Sequence, residues 1–224
     1  MTGAAGGIGQ AIVARLEAEG AEVQGLDLVD GFDVTDPAAW ESVDRAELGC
    51  LNAGVTAPTS AIADLSEDEY RRVAAVNVDG VVWGVRRFAR VMEEGDAIVV
   101  TASLAGLTGV EGDPIYALTK HAVIGLVRSV APQLAERGIR INAVCPGFAD
   151  TPMVTGELRE ALESAGFPLL KPDEVAEAVW RAAQSESTGE AWVVQPGREP
   201  EPYRFRGIPG PRVEGREGVA PPPL

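Results

Sequence analysis

A tyrosine and a lysine four residues apart, Tyr116 and Lys120, and a glycine-rich run at Gly3, Gly6, Gly7 and Gly9 are the parts of this chain whose types and spacing can do chemistry. The run Gly3-Ala4-Ala5-Gly6-Gly7-Ile8-Gly9 leads straight into an apolar-periodic stretch, Ile8, Ala11, Ile12 and Leu16, which predicts a tight turn at a helix N-terminus. Such a turn can cradle phosphate. Backbone without Cβ atoms approaches the anion closely, and the helix end offers free N–H donors and a partial positive charge. Asp27 lies 18 residues beyond Gly9, at the end of an expected strand over 22–27. That is near the spacing at which a dinucleotide fold sets an acid on the adenosine ribose. A carboxylate there accepts from both ribose hydroxyls and repels a 2′-phosphate, and neither Ala5 nor Leu28 brings a cation to hold one. These residues predict NAD rather than NADP. On a helix, Tyr116 and Lys120 share one face. A free phenol titrates near ~10, too high for base work at neutral pH, and a neighbouring ammonium favours the phenolate.

The elements that must position these groups follow from pattern. After Asp27 the chain reaches Gly31-Phe32-Asp33-Val34 and Thr35-Asp36-Pro37 in fewer residues than a helix and a strand need, so one crossover shrinks to a loop. A short helix is expected over 38–45 and a buried strand over 48–51, ending at Asn52-Ala53-Gly54, where small residues let a ligand lie against backbone. Ser66-Glu67-Asp68-Glu69 has the capping-box pattern and opens a long helical stretch to Met92, with a kink or break expected at Asn77-Val78-Asp79-Gly80. Ala97–Thr101 is the clearest strand, and Asp113-Pro114 opens a helix to about residue 136. A strand over 139–144, helices over about 156–164 and 172–184, and a strand over 191–194 complete the alternation. Strands alternating with helices at this rhythm predict an α/β fold, a Rossmann-type doubly wound parallel sheet with helices on both faces.

Only Met1 and Thr2 precede the glycine turn, where such a fold has its central strand. Four or five buried Val or Ile side chains on that strand would contribute roughly 1.5–3 kcal/mol each. The expectation is therefore that the natural chain starts upstream of Met1, which intact mass of the native protein checks. Residues 1–195 are expected to form the nucleotide-binding domain. From 196 to 224 the composition turns to Pro, Gly, Arg and Glu without apolar period, which predicts either a disordered tail or a segment wrapped over a neighbouring subunit.

Composition excludes some partners. A net charge of −15, from 19 basic and 34 acidic residues, argues against nucleic acid and anionic membranes. Cys50 and Cys145 end apolar runs and read as buried thiols, His121 is the only histidine, and no metal site is expected. There is no run of ~18 apolar residues and no signal pattern, so the cytoplasm is the expected location.

Taken in order, Thr2-Gly3-(x3)-Gly7-Ile8-Gly9, Asp33-Val34, Asn52-Ala53-Gly54, Asn77, Ser103, Tyr116-(x3)-Lys120 and Pro146-Gly147 with Thr151 resemble the motifs of the short-chain dehydrogenase/reductase superfamily, single-domain type. The resemblance covers nearly the whole chain apart from the first strand and the tail. It implies Tyr116 as general acid/base and Ser103 as the hydrogen-bond donor to the substrate oxygen. It also implies Lys120 as the group that holds the nicotinamide ribose and lowers the phenol's pKa, and Asn77 as support for a water that relays the proton. Gly3, Gly7, Ile8, Gly9, Asp27, Asp33, Val34, Asn52, Ala53, Gly54, Pro146, Gly147 and Thr151 would line the cofactor. Leu51 stands where the family commonly has another Asn. Gly3, Gly6 and Gly9 also fit the spacing of the longer, sugar-nucleotide-modifying branch, but too little chain follows Thr151 for that branch's substrate domain.

The reading is an NAD-dependent oxidoreductase interconverting a secondary alcohol and a ketone. An apolar lid over 151–168 (Met153, Val154, Leu158, Leu162, Phe167) predicts a small hydrophobic substrate. An NADP-linked ketone or 3-oxoacyl reductase and a catalytically idle NAD-binding scaffold stay open as alternatives. The resemblance implies a homo-oligomer, tetramer or dimer; the long apolar helices over 69–92 and 115–135 could pair.

Overall fold

The strands follow one another across the sheet in chain order. They are β1 (Leu48–Leu51), β2 (Ala97–Thr101), β3 (Arg140–Pro146) and β4 (Ala191–Val194), all parallel, and β5 (Glu201–Pro202), antiparallel to β4. This is a computed structural model, and it describes residues 1–57, 61–154, 156–209 and 212–213. The helices are α1 (Gly7–Ala18), α2 (Glu67–Ala74), α3 (Gly80–Val91), α4 (Pro114–Ala135), α5 (Gly156–Ser164) and α6 (Pro172–Gln184).

Strand side chains alternate between two apolar layers, as the period of two requires. Ile98, Val100, Ile141 and Ala143 face a cluster with Val85 and Phe88 of α3 and Val123 and Val127 of α4. Val99, Val144 and Val194 face the other, with Ile12 and Leu16 of α1 and Val175 and Val179 of α6. Both faces of the sheet are therefore covered, as a parallel sheet demands.

Three expectations change and a fourth is refined. Residues 22–27 do not form a strand. Thr2 makes parallel bridges to Leu26 on one side and Leu51 on the other; within 22–27 Leu26 alone takes part in a bridge, and the Gln24 carbonyl accepts from the Met1 amine at 3.0 Å. The helix expected over 38–45 is a single 3₁₀ turn, Ala39–Ser42, which swings Trp40 into the core with its indole N–H on the Val34 carbonyl at 2.9 Å. The kink or break expected at Asn77 takes the form of a π-helical turn, Ala75–Asp79, joining α2 to α3 without an interruption. Composition gave a tail from 196, yet Glu201–Pro202 pair with β4, Tyr203 and Phe205 meet edge to face, and Arg128 of α4 stacks over Phe205 at 3.9 Å. Within the expected tail, positions 210, 211 and 214–224 lie outside the described residues.

The helix that matters most starts as the sequence predicts. Asp113 caps α4 by accepting the Tyr116 N–H at 2.8 Å, with Pro114 at the first helical position. Ser66 likewise caps α2 through the Glu69 N–H at 3.2 Å.

Candidate active site

The glycine turn is shaped by what surrounds it. Gly3 has φ +65°, and a Cβ there would lie 2.9 Å from the Ala53 Cα. At Gly7 a Cβ would lie 2.9 Å from the Thr151 methyl, and at Gly9 it would overlap the Gly3 carbonyl. Gly6 is different: its nearest neighbour would be the Gly3 carbonyl oxygen at 3.4 Å. Close packing thus requires glycine at 3, 7 and 9 and not at 6. That supports the single-domain spacing over the alternative at 3, 6 and 9. Gly6 at the N-cap of α1 makes no side-chain cap, which leaves the first-turn N–H groups without a capping acceptor.

The ends of the first strands are sewn to this turn. The Thr2 hydroxyl accepts from the Asn52 and Ala53 N–H groups at 3.0 and 3.2 Å, and the Asn52 amide donates to the Gly3 carbonyl at 3.3 Å. Asp27, half-buried, accepts from the Ala5 N–H at 2.9 Å, which ties it to the glycine turn while its other oxygen caps the 3₁₀ turn Leu28–Asp30. Val34 shares a shallow hollow with Thr2, Ala53 and Val76. Asp33 stands apart: its carboxylate accepts from the Thr35 N–H and hydroxyl at 2.9 and 2.8 Å, within its own turn. Leu51, in place of the family's Asn, is core, buried against Gly84.

On the other side of β1 the catalytic candidates converge. Tyr116 lies in the first turn of α4, with Ser103 near enough to act on its phenol; Ser103 Oγ accepts the Ala105 N–H at 3.1 Å and lies 3.5 Å from the Pro146 carbonyl. Lys120, one turn on, is buried; its Nζ donates to the Thr101 carbonyl at 3.0 Å and sits 5.4 Å from the Tyr116 ring centre. Asn77, fully buried in the π turn, accepts the Val55 N–H and donates to the Val55 carbonyl, both at 2.8 Å. It also donates to Thr119 at 3.0 Å, and Thr119 donates on to the Tyr116 carbonyl at 2.8 Å. The missing Cβ of Gly54 leaves a gap that Asn77 Oδ1 and Lys120 Nζ both flank at 3.4 Å. Pro146 ends β3 beside Ser103, and Gly147 is held by the Val194 carbonyl at 3.0 Å.

Charge in this corner runs against one expectation. Burial pushes the Tyr116 phenol up to about 12, with Asp113 adding to the rise and Ser103 opposing it. The expected lowering by Lys120 is absent, because the ammonium bonds the Thr101 carbonyl and is itself pushed down to about 8 by burial. Burial also holds the Cys50 and Cys145 thiols up at about 11 and about 12, so both are packing groups. His121 is exposed, its Nδ1 2.9 Å from the Ala117 carbonyl. Among the described residues no three His, Cys, Asp or Glu side chains gather to hold a metal, and no helix is long and apolar enough to cross a membrane.

Two contributors escaped the motif reading, Asp113 visible only as a helix opener and Phe148 not at all; Thr2 stood in the quoted motif without a role. Phe148 meets Phe167 edge to face at 5.9 Å; with Met153 and Leu158 they form an exposed apolar rim after Pro146-Gly147, while Val154 and Leu162 are buried beneath.

The fold and this geometry agree with relationships in sequence. The sequence profile described as enoyl-(acyl carrier protein) reductase matches residues 33–197. An uncharacterized short-chain type dehydrogenase/reductase of Sinorhizobium fredii is 34% identical over 88% of this chain, which spans 42% of that protein's length. A 3-alpha-(or 20-beta)-hydroxysteroid dehydrogenase of Mycobacterium bovis is 33% identical over 88% of this chain and 87% of its own. Among solved structures, levodione reductase superposes with a TM-score of 0.79 at 26% identity, covering 88% of this chain and 95% of that one. BdcA in complex with NADPH superposes with 0.77 at 27%, covering 86% and 90%. The chain belongs to the short-chain dehydrogenase/reductase superfamily. It is therefore an oxidoreductase of a family that works with a nicotinamide cofactor. The residues fit that group: the uncapped α1 N-terminus for phosphate, the Asp27 carboxylate for ribose hydroxyls, and the gap at Gly54 before Lys120.

Proposed function

We propose that the chain interconverts a secondary alcohol and a ketone with NAD, and that Tyr116 moves the proton. The observation that carries this reading is the buried Lys120 ammonium 5.4 Å from the Tyr116 ring, one turn on along α4, with Ser103 acting on the same phenol. A phenol and a hydroxyl on one side of a site suit a carbonyl or alcohol oxygen. Ser103 donates to that oxygen as charge builds on it, and Tyr116, neutral when its phenol sits near 12, gives the proton in reduction. In oxidation the proton leaves the alcohol for the phenolate, which higher pH favours. The cofactor, when bound, accepts or supplies the hydride. Asn77 and Lys120 flank the gap at Gly54, where a water between them would carry the proton onward.

Asp27 supports NAD, since a carboxylate tied to the glycine turn repels a 2′-phosphate. The rim of Phe148, Met153, Leu158 and Phe167 supports an apolar substrate, and the hydroxysteroid and levodione activities named for the relatives point to ring alcohols and ketones. One observation favours the NADP reading: a structure similar to this chain holds NADPH. Initial rates on a panel of cyclic alcohols and hydroxysteroids, each with NAD and with NADP, decide between them. Rates at least about tenfold higher with NAD are expected, and the reverse preference overturns the assignment of Asp27. Loss of turnover in Tyr116→Phe with NADH binding kept excludes the idle scaffold.

A further inference from the structure

The segment that leaves β1, Asn52 to Ala57, passes in front of Lys120 and is pinned twice. Asn77 holds Val55 by both its N–H and its carbonyl. Two residues on, the Ala57 N–H donates to Asp113 Oδ2 at 3.0 Å, while Asp113 Oδ1 accepts the Tyr116 N–H at 2.8 Å. One carboxylate therefore spans the segment beside Gly54 and the helical turn that carries the phenol.

We propose that Asp113 is a positioning residue, a two-oxygen clamp that sets the Gly54–Ala57 segment against Tyr116. The proposal rests on the reading of Tyr116 as the proton-transfer group. Capping alone does not need a carboxylate, because Asn and Ser cap a helix about as well. Holding two N–H groups at once does. An asparagine offers one acceptor oxygen and turns its NH2 toward the other donor, and a serine is too short to reach both. Ala57 is buried, so its N–H has no solvent to fall back on. Among the described residues, the titratable groups that act on Asp113 are Glu69 of α2 and, on its own helix, Tyr116.

Asp113→Asn and Asp113→Ser, compared with Ser66→Ala as a cap loss on α2, test this in three readouts. Amide exchange at Ala57 is expected to speed up about tenfold or more in both Asp113 variants, while the exchange of the α4 core stays as in the parent. Turnover is expected to fall about 10- to 100-fold with substrate KM changed less than about threefold, the scale of a misplaced catalytic group. In Asp113→Asn the rising limb of oxidation against pH moves to lower pH, since a negative charge beside the phenol is gone. As a cap alone Asp113 would move that limb as well, so the clamp is read from the Ala57 exchange and from the split between turnover and KM. Parent-like exchange at Ala57 in Asp113→Asn overturns the proposal, and so do losses of turnover in both variants that merely match Ser66→Ala. A parent without turnover would overturn the function proposed above, and the exchange of Ala57 would still test the clamp.

Discussion

β1 separates two regions built to different standards. On its nucleotide side the sheet continues through Thr2 to Leu26 by single bridges, and the turn there is held by a handful of bonds: Thr2 to Asn52 and Ala53, Asn52 to Gly3, Asp27 to Ala5. On its catalytic side β1, β2, β3 and β4 run in full parallel register, and the buried polar groups Asn77 and Lys120 both have partners. The first region tolerates little loss because each tie is one of few. The second is over-determined, so it can bury an ammonium and a phenol whose pKa values burial has moved. Cofactor affinity should therefore be the fragile property of this chain, and the placement of Tyr116 the robust one.

The largest expected effect separates the two regions outright. Tyr116→Phe should lower turnover about 10²- to 10⁴-fold, the usual range for a lost acid/base group, and leave NADH affinity within about twofold by fluorescence titration. A matching loss of NADH affinity would mean that the regions are not independent.

Next come the glycines. Gly9→Ala drives a methyl into the Gly3 carbonyl and should cost about 1–3 kcal/mol in urea unfolding, with NADH affinity falling alongside, whereas Gly6→Ala, with room for its methyl, should cost no more than the change of an N-cap residue, under about 1 kcal/mol. Equal effects of the two would contradict the packing that singles out positions 3, 7 and 9.

Thr2→Val is milder. It removes the acceptor of two N–H groups, and about 1–3 kcal/mol is expected, read mainly as weaker cofactor binding with kcat at saturating NAD preserved.

The smallest effect is a slope. Burial holds Lys120 at about 8 against an ordinary 10.5, so between those values the unfolded chain keeps a proton that the folded chain has shed. Stability from this group thus rises with pH across that window, and above pH 10 the raised Tyr116 works the other way. Lys120→Met should flatten the rise between pH 8 and 10 in urea titrations, together with a large loss of turnover. An unchanged slope would show that Lys120 is not desolvated as the fold implies.

Long periodic elements were legible. α4, α6 and β1 to β4 lie within a few residues of their expected places, because their apolar period and caps are local properties of the chain. The strand at 22–27 and the helix at 38–45 were not, because a strand exists only where a partner pairs with it, and the turn around Trp40 is set by the core that takes the indole.

The sequence by itself determined the family, the doubly wound sheet and the order of the candidate site residues, since motif spacing and periodicity are written in one dimension. Only the tertiary structure decided which glycines are crowded, that Asn77 sits in a π turn and grips Val55, that Asp113 bridges two segments, and that the phenol's pKa rises. Much of this depends on groups far apart in the chain, as Asn77 meets Val55 across 22 positions and Gly7 meets Thr151 across 144, and on how much water each meeting excludes.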